Sequence, residues 1–120
     1  MSLVCGHVYV YRCAWIKPPH DKIALCICGE RNWVFWFNSD PRFHGQGQLA
    51  VGPADCPAAL AKNGYLDLSS VKAVSPSEAG AALDRGPISP AFRAKIREAL
   101  AQPIAPLPAA HKTLAMENLK

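Results

Sequence analysis

Six residues near the start of the chain, Lys17-Pro18-Pro19-His20-Asp21-Lys22, bring together the groups needed for proton transfer beside a developing negative charge. His20 carries an imidazole that can serve as base or acid. Lys17 and Lys22 are cations able to hold an anion, and Asp21 stands where it could orient the histidine. The prolines stiffen this stretch, and its polar side chains also suit an ordinary solvated turn. A second stretch, NSDPRFHGQGQ at residues 38–48, carries Ser39, Arg42, Phe43 and His44 among turn-forming residues. A basic loop with an aromatic ring suits single-stranded nucleic acid, whose bases stack on aromatics. A plain hairpin loop fits it as well. If both loops lie at one end of the fold, His20, Lys22, Arg42 and His44 surround one groove.

Other residues invite chemistry less strongly. Cys5-x-His7 and Cys26-x-Cys28 look like ligand pairs, but zinc sites favour two to four residues between paired cysteines, in turns. Cys26 and Cys28 fall inside an apolar run, where buried thiols behave as small hydrophobes. Alternation within WVFWF sends Trp33, Phe35 and Phe37 to one face and Val34 and Trp36 to the other. One set is core, and the other faces a dimer partner or the C-terminal tail. Arg93, Lys95 and Arg97 form the one local basic cluster and read as a solvated helix face.

The first half of the chain has the elements to position these groups. HVYVYRCAWI, KIALCICG and WVFWFN are rich in β-branched and aromatic residues and are separated by turn signals, which predicts strands. QGQLAVG and GYLDLSSVKAV add more, and short strands at such close spacing point to a small barrel or sandwich. ADCPAALAKNG predicts one short helical turn. SPSEAGAALDRG predicts a helix capped by Ser75 and Glu78 and stopped by Gly86. SPAFRAKIREALAQ predicts another, with Ser89 as cap and a stripe of Phe92, Ile96 and Leu100. The tail after residue 101 is proline-rich, and Ile104, Leu107, Leu114 and Leu119 are placed to dock on the domain or on a neighbouring chain. The division is therefore residues 1–101 as a single domain and 102–120 as a docked tail.

The 120 residues suffice for one domain, and half are apolar, enough for a real core. A net charge of +4 fits a nucleic-acid or acidic partner without demanding one. No apolar run approaches the roughly 20 residues of a membrane span. The N-terminus lacks the pattern of a signal peptide, so a cytoplasmic protein with five free, mostly buried cysteines is expected.

Five stretches in this order, HVYVYRC, DKIALCIC, FNS, NGYLDLSSVKAV and RGPISPAFRAKIREAL, resemble the MazF/PemK (Kid/CcdB-like) toxin family across most of residues 7–100. The resemblance implies a mainly β fold, an SH3-like barrel with C-terminal helices, that forms a homodimer. It also implies metal-independent cleavage of single-stranded RNA with no cofactor, and an antitoxin that blocks the RNA groove. Lys22 stands where the family keeps an arginine, and Ile23 replaces a proline. Lysine offers phosphate a point charge where arginine offers a rigid fork. The turn after the third strand supplies Ser39 and Arg42. The resemblance points to Lys22, Ser39 and Arg42; joined with the residue types of the two loops, it gives catalysis to His20, Lys22, Ser39, Arg42 and His44, with His20 or His44 as acid or base, and RNA contact to Lys17, Lys22, Arg42 and Phe43. The alternatives are a barrel that binds protein or nucleic acid without chemistry, or a structural or phage-associated protein.

Overall fold

The β-branched and aromatic runs of the first half form strands, as their composition predicts. A computed structural model describes residues 2–39, 45–56 and 60–120. Its strands are β1 (His7–Cys13), β2 (His20–Cys28), β3 (Trp33–Asn38), β4 (Gln48–Val51), β5 (Gly64–Asp67), β6 (Lys72–Ala73) and β7 (Leu83–Pro87). Three helices follow or interrupt them: α1 (Pro76–Ala81), α2 (Pro90–Leu100) and α3 (Ala109–Asn118). All pairings are antiparallel, in the order β4-β5-β3-β2-β1-β7, with β6 also on β3. The sheet is mainly β in character and is not closed into a barrel. β5 pairs with the end of β3, and β6 pairs with its start. The chain leaves the sheet between them, at residues 68–71, where Ser69 caps the buried Asp67 carboxylate through its N–H and hydroxyl.

Alternation gives the sheet two buried faces. Val8, Leu25, Ile27, Phe35 and Phe37 point to one, where Phe92, Ile96 and Leu100 of α2 cover them. Tyr9, Tyr11, Cys13, Ala24, Cys26 and Val34 point to the other, beneath Leu3, Val74 and Ala79. The parity expected for WVFWF therefore holds. Both sets meet core, however: Trp33 packs against the helix-covered cluster and Trp36 against the second.

The helix caps follow the sequence. Ser75 Oγ accepts from Glu78 N at 3.2 Å while Glu78 Oε1 accepts from Ser75 N at 3.1 Å, satisfying two end donors at once. Ser89 Oγ accepts from Phe92 N at 3.0 Å, and Phe92, Ile96 and Leu100 are wholly buried.

Two expectations need correction. The helix read up to Gly86 ends at Ala81, and Leu83–Pro87 is an edge strand on β1. The unpaired side of β1 offers a row of backbone partners there, and that outweighs a helical preference already weakened by Gly80. Residues 102–120, expected as a docked tail without a helix of its own, contain α3. Ile104, Leu107, Ala115 and Leu119 belong to the main core, whereas Leu114 is only half-buried. Asn118 Nδ2 donates to Ile27 O at 2.9 Å, fastening the end of the tail to β2. The helical turn expected near Pro57 lies partly outside the described residues, although Leu60 N donates to Cys56 O at 3.0 Å there. The five cysteines are free thiols, and all but Cys5 are buried. Among the described residues no helix is long and apolar enough to cross a membrane.

Candidate functional site

Register decides which residues of the two candidate stretches meet. β2 pairs with β1 so that Tyr11 opposes Lys22 and Cys13 opposes His20. It pairs with β3 so that Ala24 opposes Trp36. His20, Lys22, Trp36 and Asn38 therefore share the sheet face opposite α2, with His20 and Lys22 roughly 7 Å apart along one strand. His20 is exposed, and its Nδ1 lies 2.9 Å from Pro18 O. A carbonyl only accepts, so Nδ1 carries the proton of that bond, and the Nε2 of a neutral ring keeps its lone pair.

Lys22 is half-buried. Its Nζ donates to Asn38 Oδ1 at 3.0 Å and stands 4.6 Å from the centroid of the Trp36 ring. Lys72 reaches the same ring from β6, 4.9 Å from the centroid. Burial lowers the Lys22 ammonium below its ordinary 10.5. Nearby Cys13 and Asp67 oppose that shift and the Lys72 charge adds to it. Two cations thus crowd one indole. Trp36 itself is fixed from the β1 side, where its Nε1 donates to Tyr11 Oη at 2.8 Å. Burial pushes the Tyr11 hydroxyl up to about 12, against the effect of that hydrogen bond. Trp15, in the β1–β2 connection, stacks on Trp36 with centroids 5.3 Å apart and planes 24° apart, yet remains 60% exposed.

The remaining sequence-stretch residues fall as follows. Asp21 does not orient His20; it pairs at 3.8 Å with Arg12, because neighbouring residues of a strand point to opposite faces. Lys17 is exposed in the connection. Ser39 is exposed at the end of β3, on the rim of a cavity of about 240 Å³. Ile23 and Phe37, which line that cavity, belong to the helix-covered face, and Asn38, the Lys22 acceptor, lines it beside Ser39. Arg42, Phe43 and His44 lie outside the described residues. Among the described residues no group of three His, Cys, Asp or Glu side chains is placed to hold a metal ion.

Sequence reasoning passed over Asn38 and Lys72 and read Trp36 as packing in the core, on a dimer partner or on the tail. Half of the signal for Trp36 was present, because alternation set it on the face away from Trp33, Phe35 and Phe37; the register with β2 puts that face with Lys22. Nothing in one dimension pointed to Lys72, which β6 delivers from 50 residues away, the interval from position 22 to 72. The arrangement gathers two ammonium groups around one aromatic ring and sets an exposed imidazole on the same sheet face, groups that suit an anion and a proton transfer. Comparison of the chain with protein-family models, with curated proteins and with solved structures finds no match.

Proposed function

We propose that this protein is a toxin-like member of the MazF/PemK kind, with an SH3-like barrel, that binds single-stranded RNA and cleaves it without a metal. One observation carries the reading: Lys22, half-buried between Asn38 and the Trp36 ring, shares a face of β2 with an exposed His20. The bend at which β3 exchanges β5 for β6 supports a sheet that curls in the manner of a small barrel. A homodimer and a blocking antitoxin go with the reading.

The chemistry follows from the groups present. His20 Nε2 takes the proton of a ribose 2′-OH, whose oxygen attacks the adjacent phosphorus. Lys22 stabilises the negative charge that grows on the phosphorane oxygens. The P–O5′ bond then breaks, the leaving oxygen receives a proton from an imidazolium, and a 2′,3′-cyclic phosphate remains. The test is incubation of single-stranded RNA with the wild type and with the His20→Ala and Lys22→Ala variants, in the presence of a chelator. Cleavage giving cyclic-phosphate ends is expected from the wild type. Loss of a general acid–base group should slow it by about 10²- to 10⁴-fold. No cleavage by the wild type, together with no growth arrest on expression, removes the toxin reading.

A second reading, a binding module without chemistry, draws on the identity of residue 22. A lysine already donating to Asn38 has only a point charge to offer phosphate, where arginine has a fork. RNA binding without cleavage selects this reading.

A further inference from the structure

We propose that the outer face of Trp15 is a nucleobase platform and that Lys72 is a second phosphate-binding cation beside Lys22. This rests on the RNA reading above and names the contacts that hold the strand. Trp15, Val4 and Leu83 are the large hydrophobic side chains left exposed among the described residues, and Trp15 is the only ring. An indole 60% exposed while stacked on another has one face covered and the other in water.

The platform is also held in place. Trp15 rests on Trp36, and Trp36 is tied to Tyr11 Oη by its N–H and flanked by both lysines. A ring fixed in this way loses little freedom on binding, which favours affinity.

Charge favours a polyanion as the occupant. Lys22 and Lys72 stand within 5 Å of one ring centroid, and neither makes an ion pair among the described residues. The buried Asp67 carboxylate is felt by Lys22 and supplies one negative charge, while its Oδ1 accepts from Gln48 Nε2, Ser69 N and Ser69 Oγ. Of the acidic groups beside the connection, Glu78 is engaged by the α1 cap and by Ala14 N at 3.4 Å, and Asp21 pairs with Arg12. Two ammonium groups against one carboxylate leave net positive charge at this face for an anion. An acidic peptide would satisfy the lysines but would leave the open indole unused. A nucleic-acid strand uses both, stacking a base on the ring while a nearby phosphate meets the ammonium groups. The ribose 2′-OH needed by the chemistry at His20 makes the strand RNA.

The experiment is binding of end-labelled single-stranded RNA, read by fluorescence anisotropy, to wild type, Trp15→Ala, Trp15→Phe and Lys72→Ala. Trp15→Ala should weaken binding about tenfold or more, and Trp15→Phe should recover most of it, since stacking needs only a ring. Lys72→Ala should lower the slope of log affinity against log salt by about 0.7. Removing single bases from the RNA should weaken the wild type at one position and leave Trp15→Ala indifferent there. Thermal melts should show all four proteins folded, because Trp15 is exposed and Lys72 lies outside the core. If the wild type binds RNA and Trp15→Ala binds equally well, the platform is wrong and the RNA reading stands. If the wild type binds no RNA, or polyglutamate competes as well as RNA does, the platform falls through the identity of its ligand.

Discussion

Replacing Tyr11 by phenylalanine removes one oxygen from the bonds that hold Trp36. Tyr11 is 4% exposed, and its hydroxyl is the acceptor for the indole N–H at 2.8 Å. Loss of such a bond, with the half-buried donor left unpaired, costs about 1–2 kcal/mol at neutral pH. The same hydroxyl adds a pH dependence that the variant lacks. Burial raises it from its ordinary 10.0 to about 12. Between these values the unfolded chain ionises first, so the folded wild type holds the proton longer and loses stability as pH rises. The full loss is about 2.7 kcal/mol at 1.36 kcal/mol per pH unit, and about 1.4 kcal/mol of it has accrued by pH 11. Urea unfolding of both proteins from pH 7 to 11, followed by circular dichroism, measures the difference. Groups common to both cancel, so the wild-type advantage should be present up to pH 9 and close by pH 11. Equal stabilities at pH 7 would mean that Tyr11 does not hold Trp36. A gap constant with pH would mean that the hydroxyl is not buried as described.

Two further substitutions test the frame behind the site. Leu119→Ala should destabilise by about 2–5 kcal/mol, because the side chain is wholly buried in the main core although it lies next to the last residue; a loss below about 1 kcal/mol in denaturant melts would show that the tail is not part of that core. Gly29→Ala places a Cβ 2.3 Å from the Leu3 carbonyl oxygen, so the N-terminal segment must shift. It should cost about 1–3 kcal/mol, and an unaltered melt would contradict the close approach.

Strands and caps were legible because their causes are local. The valines and aromatics of β1 to β3, and the Ser-Pro starts of α1 and α2, act within a few residues of themselves. The stripe of Phe92, Ile96 and Leu100 needs only the helical period. α3 was not legible for the same reason: its N-cap is Pro108, with no side-chain hydrogen bond to announce a start. β7 was hidden because its partner, β1, lies more than 70 residues earlier, and the pairing of His7 with Pro87 spans 80 positions. The candidate site divides along the same line. That His20 and Lys22 share a face could be read from alternation, and so could the parity of Trp36. The stack of Trp15 on Trp36 depends on how the β1–β2 connection folds back over the sheet, and the approach of Lys72 depends on β6 resuming the pairing with β3 after the break at 68–71.

The lysine at position 22 takes on a different meaning once its neighbours are known. Alone, it offers phosphate less than the fork of an arginine does. Here its ammonium is held by Asn38 and by the Trp36 ring, so the charge is fixed in place instead of sweeping through solvent on a flexible stem. Lys72 brings a second charge to the same ring from another strand. Two positioned point charges can meet two oxygens of one phosphate, or two phosphates in a row, which is the work a fork would do. The arrangement has a physical cost, since the two ammonium groups repel and burial already disfavours the charge on Lys22. On the proposed reading, an anion arriving beside them offsets their mutual repulsion.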